Sequence, residues 1–143
     1  MNYKKILIAI DGSPISMRVA EEGIDLAQKL NAEIALIYVV DTNMVVGTNE
    51  TNISPQTILQ EFRKEGKELL EEIEQKTKVS PLKFEPEGKP ADEIIKAANE
   101  WPADLIVMGT HGRTGLKHLL MGSVAEHVIH HSKKPVLVIT SSS

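Results

Sequence analysis

The sequence predicts a doubly wound α/β fold: a five-stranded parallel sheet in the order 3-2-1-4-5 with helices on both faces. Three observations lead there. Unbroken apolar runs within Ile6–Ile10 and Ile34–Val40 suit strands buried on both faces rather than strands with one wet side. Segments of helical periodicity separate the strand candidates, so each strand-to-strand step is a crossover. Finally, Pro86 and Pro135 mark two of the strands as edge strands, which leaves the proline-free runs for the centre. This plan is Rossmann-like, and 143 residues suit a single domain spanning 1–143 with its own hydrophobic core.

In chain order, the first strand covers Ile6–Ile10 and ends at Asp11. Ser13-Pro14 supplies an N-cap and a first-turn proline for a helix whose inward face is Ile15, Val19, Ile24, Ala27 and Leu30. The second strand lies within Glu33–Val40. Residues 41–53 are polar and read as a mobile loop, in which Met44, Val45 and Val46 are able to fold back as a lid. Ser54-Pro55 repeats the cap-plus-proline start. Ile58, Leu59, Phe62, Leu69, Leu70 and Ile73 then mark one face of a long charged helix ending about Lys76.

Leu82 and Phe84 alternate with charged residues before Pro86, which gives a peripheral third strand. Ala91–Glu100 is a short helix with Ile94, Ile95 and Ala98 inward, stopped by Trp101-Pro102. Asp104–Gly109 is the fourth strand, Ser123–His131 the last helix, and Pro135–Ile139 the fifth strand with proline at its first position.

Composition excludes several classes. Sixteen Lys and Arg against twenty Asp and Glu give a net charge of −4, which offers a nucleic-acid backbone no global attraction. The chain has no cysteine, so disulfides, thiolate chemistry and cysteine-based zinc sites are all ruled out, and a reducing cytoplasm is the expected location. The apolar run before Asp11 is too short for a signal-peptide core or a membrane span. The sequons at Asn49 and Asn52 are therefore read as coincidence.

The most informative stretch follows the fourth strand: Gly109, two residues, Gly112, nine residues (Arg113 to Met121), then Gly122-Ser123 opening a helix. Glycines permit positive φ and close ligand approach, so backbone amides there can form an anion-binding nest. The start of the last helix adds unpaired N–H groups and the positive end of a dipole, and phosphate is the natural guest. Arg113 and Lys117 can add charge or stay solvated. The competing reading is a plain turn at Gly109 and Gly112 and a plain helix start at Gly122. The position of Asp11 favours a site. In the predicted order the first and fourth strands are neighbours at the topological switch point, where open α/β sheets place ligands. Asp11 can accept from a ribose hydroxyl, hold Mg²⁺ through water, or simply close an Asx-turn over Gly12-Ser13.

No GxxxxGK[ST] loop is present, GTHGRTG does not fit the GxGxxG fingerprint, and no water-activating base stands out, so fast phosphoryl transfer has no visible machinery. His127 and His131 share helical spacing but lack a third ligand. They read as end-of-helix residues with His130, Lys133 and Lys134, and no metal site is expected.

Four segments resemble the universal stress protein family: KILIAIDGSPIS, ALIYVVD, ADEIIKAA, and the long C-terminal stretch from Ala103 to Ile139, which matches that family's G-2x-G-9x-G-[ST] motif. The resemblance runs over essentially the whole chain. It implies ATP, or AMP or ADP, with Mg²⁺. Asp11 and Val39 would lie against adenosine, Met108 and Gly109 nearby, and Gly112, Gly122, Ser123 and Val124 at the phosphates; Arg113 joins them as a candidate on its charge, not on the resemblance. It also implies a homodimer through the last strand. The physics of an apolar edge at Val136, Leu137, Val138 and Ile139 favours the same pairing. The expected function is an ATP-binding regulatory protein of the stress response. The alternatives are a slow ATP hydrolase or a nucleotide-independent dimer that binds an unidentified protein.

Overall fold

The computed structural model describes residues 2–45, 53–111 and 121–140. Its elements are β1 (Lys5–Ile10), α1 (Ser16–Leu30), β2 (Glu33–Tyr38), β3 (Val40–Asp41), a 3₁₀ turn (Thr42–Val45), α2 (Pro55–Thr77), β4 (Leu82–Phe84), β5 (Glu87–Gly88), α3 (Pro90–Glu100), β6 (Leu105–Gly109), α4 (Ser123–His131) and β7 (Val136–Ile139). The main sheet runs β4-β2-β1-β6-β7, and its pairings are all parallel. With the two-residue strands β3 and β5 set aside, this is the predicted 3-2-1-4-5 order.

The apolar runs are explained by the two cores they serve. In β1, Ile6, Ile8 and Ile10 face α1 and α2, whereas Leu7 and Ala9 face α3 and α4. The same alternation splits Leu36 and Tyr38 from Ala35 and Ile37 in β2, and Leu105 and Val107 from Ile106 and Met108 in β6. Each fully buried Ile, Leu or Val contributes about 1.5–3 kcal/mol, so a polar residue on either face of a central strand would be costly. At the edges the demand relaxes. Leu82 of β4 is 51% exposed and Leu137 of β7 is 38% exposed.

Two contacts stitch the amino end of the sheet. Asp104 Oδ2 accepts from the amides of Lys4 and Lys5, at 2.8 and 3.0 Å, and so ties the start of β6 to that of β1. Trp101, just past α3, packs edge-on against Phe84, and Lys5 Nζ lies 5.5 Å from its ring centroid. The residue that stops α3 therefore also ties β4 to β1.

Three expectations change. Helix α1 starts at Ser16 rather than at Ser13-Pro14, because Ser13 is held in a turn that Asp11 closes and its carbonyl accepts from Ser16 N. Leu30 ends α1 with 44% exposure instead of facing inward, since Asn31 turns the chain away in a left-handed conformation. Finally, residues 41–45 are not simply loop. Val40-Asp41 pair with Glu87-Gly88, Val40 N bonds Pro86 O at 2.8 Å, and Arg63 of α2 grips the Glu87 carboxylate at 2.7 Å. Pro86 interrupts the β2–β4 ladder, and the small β3–β5 pair resumes it. By contrast, α2 starts as expected, with Ser54 Oγ accepting from Thr57 N over a first-turn proline.

Helix α2 comes close to the sheet at Gly66. A Cβ there would collide with the Tyr38 ring and lie 2.7 Å from Glu85 Oε2. Tyr38 is 2% exposed, and its hydroxyl donates to Glu65 Oε1 at 2.9 Å, so the ring has nowhere to go. Desolvation in this corner raises the Glu85 carboxyl above the usual range, against the pull of Lys67 and Arg63. Gly66→Ala is expected to destabilise by about 1–2 kcal/mol, because overpacking outweighs the gain in helix propensity. Urea unfolding measures this, and a variant as stable as the parent would contradict the contact.

Candidate functional site

The carboxyl ends of β1 and β6 lie side by side, and the connections that leave them diverge: α1 carries the chain from β1 toward β2, while α4 carries it from β6 to β7. This is the switch point, and a cleft opens there. It measures about 900 Å³ with its open mouth included, of which the centre of a water molecule can sample about 100 Å³.

Asp11, Val39, Met108, Gly109, Gly122, Ser123 and Val124 all lie on the wall of this one cleft. Gly112 and Arg113, together with Lys117, lie outside the described residues, as does Val46 of the expected lid. Met44 does reach the cleft wall from the 3₁₀ turn. Strand ends, helical faces and a turn that the sequence does not mark as functional also line it: Tyr38 of β2 and Asp41 of β3, Phe62 of α2, Pro90 and Ile94 of α3, and His111. These residues converge only because α2 and α3 cover opposite faces of the sheet and both start near its carboxyl edge.

Asp11 is held rigidly. Its Oδ1 accepts from Ser13 N at 2.9 Å, which is the Asx-turn, and Ser16 Oγ lies 3.0 Å from the same oxygen. Ser16 Oγ also accepts from Asp11 N at 2.9 Å. Ser16 is only 3% exposed, so this hydroxyl serves as an internal capping group for the turn. The turn and a ligand role are compatible, because a carboxylate has two oxygens and several lone pairs.

The glycines work differently from the sequence expectation. Among the described residues the glycine with positive φ is Gly88, so neither Gly109 nor Gly122 uses a left-handed conformation. Gly109 instead allows close packing, since a Cβ there would sit 3.2 Å from Ile15 and 3.4 Å from Val19 of α1. Gly122 is the N-cap of α4, and its amide is already engaged by Thr110 O at 2.6 Å. The donors left toward the cleft are the first-turn amides of Ser123, Val124 and Ala125, which have no intrahelical acceptor and no side-chain cap at residue 122.

Away from the cleft, the His127 and His131 rings lie 4.3 Å apart, and His127 Nε2 is 3.4 Å from Asp92 Oδ1. Among the described residues no three His, Asp or Glu converge as metal ligands. Nor is any described helix long and apolar enough to cross a membrane.

The sheet order, with a cleft at its switch point and a helix start on the cleft wall, defines a Rossmann-like α/β protein. Within that class the chain belongs to the universal stress protein family, whose model matches residues 2–140. The universal stress protein MJ0531 of Methanocaldococcus jannaschii is 42% identical over 140 residues, covering 96% of this chain and 82% of that protein. The solved structure of MJ0577 superposes with a TM-score of 0.82 at 29% identity, covering 100% of this chain and 99% of that one. The universal stress protein UspA of Lactobacillus plantarum gives 0.84 at 26%, covering 97% and 99%.

Ser16→Ala should cost about 1–3 kcal/mol, because the Asp11 amide loses a buried acceptor and the turn loses its internal brace. Thermal and urea unfolding would show it, and a change within error would mean that the turn holds without the hydroxyl.

Proposed function

We propose that the protein binds ATP in the switch-point cleft and acts as a nucleotide-controlled regulatory protein of the stress response. The observation that carries this reading is the convergence, on one cleft wall, of Asp11 with the uncapped first turn of α4. A helix start of this kind offers oriented N–H donors and a partial positive charge to phosphate oxygens. The apolar stretch of wall formed by Val39, Met108, Pro90 and Ile94 suits a purine and its sugar. In this reading Asp11 meets the ribose or a hydrated Mg²⁺, Val39, Met108 and Gly109 flank the adenosine, and Ser123 and Val124 hold the phosphates with Gly122 beneath them. Gly112 and Arg113, from the same glycine-rich stretch of sequence, complete the phosphate contacts. Two more distant proteins of this fold, at 24% and 22% identity, were solved with cAMP and with dAMP. They speak for the capacity of the fold, and the cleft carries the case for this chain.

Titration calorimetry of the nucleotide-free protein should show ATP binding, and Gly122→Val should weaken it about tenfold or more by placing a branched side chain between α4 and the phosphates. The absence of binding by the parent protein would refute the reading.

The same proposal includes a homodimer. Strand β7 pairs with β6 on one side, Leu137 is 38% exposed, and an open apolar edge is commonly closed by a second copy. Sedimentation velocity should find a dimer that Leu137→Lys shifts to monomer. A dimer unchanged by that substitution would place the interface elsewhere.

A further inference from the structure

We infer that Asp41 makes the cleft selective for nucleotides whose ribose hydroxyls are free, and that it turns away those carrying a second phosphate on the sugar. This rests on the reading above, that a nucleotide's 5′-phosphates sit at the start of α4.

Two helices start at the cleft, and their starts differ in charge. The first turn of α3, which reaches the wall at Pro90, contains Asp92 and Glu93, and these acids offset its dipole. The first turn of α4 reaches the wall at Ser123, Val124 and Ala125 with no side-chain cap. Its acid, Glu126, lies 3.9 Å from His130 and does not line the cleft. Anions are therefore drawn to α4 and not to α3. In the sheet, β1 lies between β2 and β6, so Asp11, at the end of β1, stands between the α4 side of the cleft and the β2 side. Asp41 is on the β2 side, three residues past Tyr38. A nucleotide anchored at α4 thus extends past Asp11 toward Asp41.

Asp41 is a fixed acceptor. Its backbone pairs with Gly88, and its Oδ1 accepts from Asn43 N at 2.9 Å, the same kind of turn that Asp11 makes with Ser13. A carboxylate holding one such bond still has capacity to accept from a sugar hydroxyl. A phosphate in that place brings negative charge against negative charge. The bases of the region do not cancel this repulsion. Arg63 grips Glu87 at 2.7 Å, Arg18 Nη1 donates to Thr140 O at 2.7 Å just past β7, and neither lines the cleft; nor does Lys89, the N-cap of α3. Among the described residues His111 is the base on the wall, and it follows β6, on the α4 side of Asp11. Arg113 serves the 5′-phosphates in the reading above, and Lys117 belongs to the same stretch. What these groups add is common to every 5′-nucleotide, so it cancels when two ligands with the same 5′-phosphate are compared.

The test compares AMP with adenosine 2′,5′-bisphosphate by calorimetric titration of the nucleotide-free full chain, in metal-free buffer at about pH 8, where phosphate monoesters are doubly charged. The parent protein should bind AMP on the order of tenfold more tightly than the bisphosphate. Asp41→Asn keeps the shape and an acceptor for Asn43 N while removing the charge. It should bind the bisphosphate more tightly than the parent does and shrink the gap about threefold or more. In the parent the gap should also narrow as salt is raised from about 0.05 to 0.5 M. Equal affinities in the parent would overturn the proposal, as would a gap that Asp41→Asn leaves unchanged, since that is exclusion by size. If the variant does not fold, a gap in the parent that salt leaves unchanged is the overturning result. Each of these leaves nucleotide binding intact. Failure of the parent to bind either AMP or ATP would overturn the nucleotide reading and this inference with it.

Discussion

The parallel pairing of β1 with β6 is the constraint on which the rest depends. Ile6, Leu7 and Ile8 align with Leu105, Ile106 and Val107, so segments almost a hundred residues apart in the chain become the centre of the sheet. Closing so long a loop has an entropic cost, and burial of both strand faces offsets it. Once that pair is set, the right-handed crossover rule sends α1 and α2 to one face and α3 and α4 to the other. The gap between the diverging connections is the cleft, so the site follows from the pairing rather than from any local motif.

The central strands tolerate this arrangement because both faces are apolar, and the peripheral strands do not need to be. Strand β4 keeps only Phe84 in the core and turns Lys83 toward Glu74 at 3.0 Å. The chain then passes Pro86, which cannot donate to a ladder, yet its carbonyl accepts from Val40 and pairing resumes in β3 and β5. That small pair, braced by Arg63 on Glu87, carries Asp41 and the turn bearing Met44 to the cleft mouth. Surface ion pairs add little stability, and the value of this one is that it places a loop.

The cleft combines opposed electrostatic tendencies. Its acids, Asp11 and Asp41, favour cations and sugar hydroxyls, whereas the uncapped turn at Ser123 favours anions. A ligand with a neutral, hydroxyl-bearing end and an anionic end satisfies both, and a nucleotide is such a molecule. Thr110 fixes the start of α4 on the cleft wall, since its backbone joins β7 on one side and the cap of α4 on the other.

Much of this was legible in the residues. The unbroken runs at Ile6–Ile10 and within Glu33–Tyr38 are what double-sided burial requires, Ser54-Pro55 starts α2, and the bounds of α4 agree with its expected range. These signals are local, and local physics is enough to set period, cap and strand type. The late start of α1, the outward Leu30 and the β3–β5 pair were not legible, because each depends on a partner distant in sequence or on a turn closed by one side chain. Residues such as Phe62, Pro90 and Asp41 carry no signal of a site, since nothing in their neighbours says that they will meet. The sequence could therefore establish the family, the sheet order and the glycine-rich stretch. Only the folded chain decided which amides remain free at α4, that Gly109 serves packing rather than a left-handed turn, and which side chains close the cleft, because those outcomes are set by contacts between elements and not by the order of residues within one.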